Sequence, residues 1–175
     1  MIDIGSTGRG TNIPGTGDFD FMFRISDSNY NGAVNYYKSK ILDLFGLKTY
    51  DSTDNDLRLK DVYIQGTEEV HKVDIDITFA YKNPEVYYPT EMCLQDRLNT
   101  IKYKYPDKYN YVLANIIIAK LILKDFGSHK KRTSHAEPKG GMGGVGIETW
   151  VLEHDGSFTK ACQTFLEHAM VTAEY

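Results

Sequence analysis

Two short segments constrain this chain more than any other part of its 175 residues. In Asp18-Phe19-Asp20-Phe21-Met22-Phe23-Arg24-Ile25, and again in Val73-Asp74-Ile75-Asp76-Ile77-Thr78-Phe79, side chains of two kinds alternate one by one. Successive side chains of an extended backbone point to opposite faces. A period of two therefore fits a strand with one buried face and disfavours a helix, whose apolar positions recur every three or four residues. The first segment predicts a strand with Phe19, Phe21, Phe23 and Ile25 inward and Asp18, Asp20, Met22 and Arg24 outward. The second predicts a strand over residues 71–80 with Val73, Ile75, Ile77 and Phe79 inward. Residues 1–4 and 57–65 read as further strands. Between them, residues 31–45 carry Val34, Tyr37, Ile41, Leu42 and Phe45 on one helical face, and Gly46 is a fitting stop.

The periodicity changes near Asn83-Pro84. Beyond it, residues 93–101 read as a helix, and residues 109–126 are apolar nearly all round, as suits a central buried helix ended by Gly127. A polar, basic, Gly-rich loop over 128–146 leads to helices near 147–153 and 158–173, with Gly156 and Ser157 at a turn and N-cap. The expectation is an α+β protein: a small mixed sheet with flanking helices in residues 1–84, followed by a helical subdomain in residues 85–175.

Charge and cysteine content narrow the class. Twenty Lys and Arg against 24 Asp and Glu give a net charge of −4, which argues against gripping long nucleic acid by bulk charge. Two cysteines, Cys93 and Cys162, with no CxxC pair, predict neither a disulfide framework nor a structural zinc site. The first ten residues lack the basic and apolar regions of a signal peptide, and the longest apolar stretch is interrupted by Lys120. A soluble cytoplasmic protein is expected, with no membrane and no obligate protein partner.

The chemistry concentrates on the acidic positions of the two alternating segments. Asp18 and Asp20, two apart on a strand, share a face, as do Asp74 and Asp76. If the strands are neighbours, three or four carboxylates converge, and such a cluster repels itself without a cation. Two carboxylates on a rigid strand can hold one hard cation or bridge two, as metal-assisted phosphoryl transfer requires. The alternative is that these carboxylates are simply the solvated face of amphipathic strands. Asp is depleted in strands, however, and its recurrence at this spacing in two of them favours the metal. The loop Gly5-Ser6-Thr7-Gly8-Arg9-Gly10-Thr11 supplies backbone N–H groups, a hydroxyl and a guanidinium suited to a phosphate.

In this order, Gly5-Ser6, Asp18-x-Asp20 and a later strand bearing Asp76 resemble the signature of the polymerase-β-type nucleotidyltransferases. The segment from Gly5 to Ile13 is similar to the GSxxRxTxL loop of archaeal-type CCA-adding tRNA nucleotidyltransferases, and the segment from Ile75 to Tyr81 to their VDVVPCY motif. Their LLKxFLKxxG helix resembles Ala119-Lys120-Leu121-Ile122-Leu123-Lys124-Asp125-Phe126-Gly127, and a later Gly-rich motif ending in GSF resembles the stretch from Gly143 to Phe158.

The resemblance implies that Asp18, Asp20 and Asp76 are catalytic and hold two Mg²⁺ ions. It further implies that Gly5, Ser6, Arg9, Lys120 and His129 bind an NTP substrate, ATP or CTP, and that a nucleoside monophosphate passes to the 3′ end of tRNA or another RNA. His129 stands where those enzymes have a Tyr, and their TPLH segment has no counterpart near residues 89–100. The helix that precedes their GS strand and their tRNA-grasping domains are also missing, so the chain is expected to be a fragment or a minimal enzyme. The same core occurs in oligoadenylate and cyclic-oligonucleotide synthases, whose GSxxxGTxI loop the chain resembles about as well. A non-catalytic nucleotide-binding module is the remaining alternative.

Other features carry less. Gly141-Met142-Gly143-Gly144-Val145-Gly146 matches GxGxxG but follows no predicted strand, and no GK(S/T) follows a Gly run. His129-Lys130-Lys131-Arg132 with His135 is a local basic run that reads as a solvated loop or an RNA contact. Lys120, alone on an apolar helix, needs either an anion at its ammonium or a stem that snorkels along the core.

Overall fold

The computed structural model describes residues 1–15, 18–26, 28–46, 52–65, 70–83, 90–127 and 141–173. Among them are four strands, β1 (Ile2–Asp3), β2 (Phe19–Ile25), β3 (Asp56–Gln65) and β4 (Val70–Tyr81). Six helices accompany them: α1 (Ser6–Arg9), α2 (Tyr30–Phe45), α3 (Thr90–Lys104), α4 (Pro106–Asp125), α5 (Gly144–Glu153) and α6 (Phe158–Ala173). The strands form one mixed sheet in the order β1-β2-β4-β3, an α+β architecture. The chain divides into two compact units: Met1–Arg9 with Pro14–Met92, and Gly10–Ile13 with Cys93–Tyr175. The main passage between them lies in the first turn of α3, eight residues beyond Pro84, and no pattern in the sequence marks the short segment Gly10–Ile13 as belonging with the helices.

In the first unit the alternating segments become the two central strands. They pair in parallel, with Phe19 opposite Ile75, Phe21 opposite Ile77 and Phe23 opposite Phe79. One face thus gathers Ile75, Ile77 and Phe79 with Leu57 and Leu59 of β3, and Tyr30 and Val34 of α2 complete that core. Tyr30 also donates its hydroxyl to the Phe79 carbonyl over 2.7 Å, joining helix to strand. The helix ends at Gly46 in the left-handed region (φ 61°), as its sequence suggests. Three expectations need correction. Tyr37 and Phe45 are each 42% exposed, because α2 meets the sheet through the narrower line of Tyr30, Val34, Ile41 and Leu42. Met22, expected outward, is fully buried with Ile4, Ala80 and Met92 in a second small core, so the sheet has apolar cover on both faces. The predicted loop after β1 is also different, since Ser6–Arg9 closes one helical turn.

In the second unit Leu94, Leu98, Val112, Ile116, Ala119, Ile147, Val151 and Leu152 make the core. The helix α4 starts with Pro106, whose missing N–H costs nothing in a first turn. It is buried on one side only: Val112, Ile116, Ala119 and Lys120 face inward, whereas Ile118 is 48% and Leu121 40% exposed. An all-round apolar pattern therefore overstated its burial. Between α5 and α6 the chain turns through Asp155 (φ 58°) and Gly156 (φ 74°), and Ser157 caps α6 by accepting the Lys160 N–H over 3.3 Å.

Gly156 is held by both backbone and space, since a Cβ there would lie 2.4 Å from Val112 Cγ2. Gly156→Ala should destabilise the protein by about 3 kcal/mol in urea denaturation, and a change below about 0.5 kcal/mol would contradict this packing. At the same turn Lys160 Nζ meets Asp155 Oδ2 at 2.8 Å on the surface. That hydrogen bond, reinforced by the ammonium charge, holds the Asp155 carboxyl below its ordinary 3.8. A depressed carboxyl contributes stability above its unfolded pKa and loses it as pH falls through the folded one. Asp155→Asn should lower the urea midpoint slightly at neutral pH, with the difference closing below 3.8; a difference that persists in acid would overturn the assignment.

Candidate functional site

The parallel pairing that builds the core also sets the carboxylates. Asp20 of β2 stands opposite Asp76 of β4, and Arg58 of β3 stands opposite Asp76 on its other side. Neighbouring strands run about 4.8 Å apart, so these three positions form one row across the sheet, on the face away from the phenylalanines. Asp18 immediately precedes β2, and all three aspartates are half-buried. The sequence condition for convergence, that the two strands be neighbours, is met.

Asp74 has structural work elsewhere. The ladder between β3 and β4 shifts between Leu59 and Val62, where Asp61 adopts φ 58°. The Asp61 N–H donates to Asp74 Oδ1 over 3.0 Å and Lys72 reaches Asp61 at 2.9 Å, so Asp74 serves this bulge.

The turn at α1 is clamped to the start of β2. Ile4 N–H donates to the Asp20 carbonyl over 2.9 Å, and the Thr7 hydroxyl donates to the Asp18 carbonyl over 2.7 Å. Gly5 lies directly against the Asp20 side chain: a Cβ at Gly5 would fall 1.8 Å from Asp20 Oδ2 and 2.5 Å from Asp20 Cβ. Only glycine permits that approach. Arg9 is buried and its Nη1 donates to the Ile4 carbonyl, so its guanidinium braces the turn from within. Ser6, at the first position of α1, is half-buried. Gly5, Ser6, Arg9, Asp18, Asp20 and Asp76 are thus all held in the first unit.

As hard oxygen donors Asp18, Asp20 and Asp76 fit a divalent cation in chemistry, and Asp20 and Asp76 are also opposite each other in register. Among the described residues no three His, Cys, Asp or Glu side chains already gather as a group that could hold a metal ion.

Lys120 lies in the second unit, in a cluster of its own. Its ammonium, 3% exposed as a residue, is 2.6 Å from Glu148 Oε1 of α5, and Glu148 is fully buried. Lys120 Nζ also donates to the Thr11 carbonyl over 2.8 Å, and the Thr11 hydroxyl donates to Glu148 Oε1 over 2.8 Å. The anion that a buried ammonium requires is therefore supplied by the protein. Sequence reading missed Glu148, although the signal was the one that singled out Lys120: a charge within an apolar stretch of helix, here residues 144–152 of α5. Arg58 was missed too, being the polar member of the alternation Leu57-Arg58-Leu59. His129 and the basic run around it lie outside the described residues.

Among the described residues no helix is long and apolar enough to cross a membrane. No protein-family model matches the chain, and no curated protein matches it.

Removing one member of a buried ion pair strands the other, at about 3–5 kcal/mol, whereas well-packed apolar replacement of both is often neutral. Glu148→Ala should therefore destabilise by about 4 kcal/mol in urea denaturation, and Lys120→Met/Glu148→Leu by much less. Equal losses in the two variants would contradict the pairing.

Proposed function

We propose that this protein is a Mg²⁺-dependent, template-independent nucleotidyltransferase that moves a nucleoside monophosphate from ATP or CTP to an RNA 3′-hydroxyl, tRNA being the leading acceptor. The observation that carries this reading is the placement of Asp20 opposite Asp76 in parallel strands, with Asp18 two residues before and Gly5 packed on the Asp20 side chain. The ordered likeness to polymerase-β-type nucleotidyltransferases supports the same reading. An enzyme acting on NTPs and RNA ends would work in the cytoplasm.

In this reading Asp18, Asp20 and Asp76 hold the cations. Bound there, Mg²⁺ would lower the pKa of an attacking hydroxyl and neutralise charge on the triphosphate and departing pyrophosphate. Ser6 offers its hydroxyl to a phosphate oxygen. Gly5 lets the turn lie close to the carboxylates, and Arg9 keeps that turn in shape through the Ile4 carbonyl. The new bond joins the RNA 3′ oxygen to the α-phosphorus as the bond to the bridging oxygen breaks; pyrophosphate leaves and the hydroxyl proton passes to solvent.

Incubation with Mg²⁺ and labelled ATP or CTP, with and without tRNA lacking its 3′ end, tests this directly. Extended RNA is the expected product, and Asp18→Ala/Asp20→Ala should reduce its formation by about a thousandfold or more, roughly 4 kcal/mol of barrier. Transfer that survives the double substitution would overturn the metal assignment. Labelled oligonucleotides without RNA would mark a second-messenger synthase, and bound but untransferred nucleotide a non-catalytic module.

A further inference from the structure

Lys120 and Glu148 face each other from α4 and α5, yet the third member of their cluster is on neither helix. Thr11 belongs to Gly10–Ile13, a four-residue excursion that enters the helical unit before the chain returns at Pro14. It is fully buried there. A segment without regular structure carries peptide groups that need partners inside an apolar unit, and an uncharged α4–α5 contact would offer none. The charged pair offers two: the ammonium takes the Thr11 carbonyl and the carboxylate takes the Thr11 hydroxyl. Apolar side chains would have closed the same helix contact at little loss of stability, so what the charges add is the hold on Thr11.

We infer that the buried Lys120–Glu148 pair is an anchor that holds the segment Gly10–Ile13 within the second unit, with Lys120 and Glu148 as its positioning residues. Arg9 is the last residue of α1 and is joined to the anchored segment through Gly10, whose φ of 68° sets the direction of exit. Release of Thr11 frees the segment Gly10–Ile13, while the helical core keeps its packing. The anchoring is a property of the second unit and does not depend on what the aspartates of the first unit do.

Trypsin reports this locally, because Arg9–Gly10 is a cleavable bond next to the anchor and Arg9 is only 3% exposed. In Lys120→Met/Glu148→Leu, cleavage at that bond, identified by mass spectrometry, should become about tenfold faster than in the wild type. Cleavage after Arg97, which precedes the buried Leu98 of the helical core, should keep its wild-type rate. Thr11→Ser retains both the carbonyl and the hydroxyl and should behave as wild type. Thr11→Val removes the hydroxyl's bonds to Glu148 and Lys120 but keeps the carbonyl bond, and should give about threefold acceleration. An unchanged rate at Arg9–Gly10 in the double variant overturns the anchor. So does equal acceleration after Arg97, which reports general loosening, and so does a double variant that fails to fold.

Discussion

The parallel pairing of β2 with β4 is the constraint on which the rest of the first unit depends. Because the pairing has a side-chain period of two, a single register decides both faces at once. Setting Phe21 opposite Ile77 also sets Asp20 opposite Asp76. Slipping one strand by a residue would place carboxylates in the α2 core and phenylalanines beside them, at a cost no local rearrangement could offset. The burial of Phe79, Ile77, Ile75, Leu57 and Val34 therefore fixes the separation of two like charges. Hydrophobic packing on one face is what makes a preset acidic row on the other sustainable.

The two units treat charge in opposite ways. In the second, Lys120 and Glu148 neutralise each other at 2.6 Å and spend their hydrogen bonds on Thr11. In the first, Asp20 and Asp76 take opposite, half-buried positions in the sheet, with Arg58 opposite Asp76 on its other side. A neutralised pair suits holding backbone, and in the proposed reading the acidic positions suit a bound cation. Gly5 belongs to the second kind of design, since its missing side chain lets the α1 turn reach the Asp20 carboxylate.

Much of this was legible in the sequence where one periodicity dominated. The strands β2 and β4, α2 with its Gly46 stop, and α6 with its Ser157 cap follow directly from local pattern and local chemistry. Partner choice was less legible. That β2 lies beside β4 is a long-range pairing that alternation alone does not state, and only a condition on it could be written. Met22 was misassigned because alternation identifies two faces without saying that both have apolar cover. The helix α4 was read as buried all round, yet Ile118 and Leu121 reach solvent, since hydropathy records what a residue tolerates and not what packs on it. Glu148 could have been paired with Lys120, as opposite charges set within apolar stretches of helix require each other. Nothing local foretold that Thr11 joins them from a distance of more than a hundred residues.

The claim that gives the first unit its chemistry is that Asp18, Asp20 and Asp76 act together on a divalent cation. Mn²⁺ titration followed by electron paramagnetic resonance of the free ion reads this without any substrate. Wild-type protein should take up Mn²⁺, and Asp20→Asn/Asp76→Asn should lose that uptake while keeping its fold, since neither carboxylate lies in the apolar core. Mn²⁺ uptake that is absent from the wild type, or unchanged in the double variant, would contradict it.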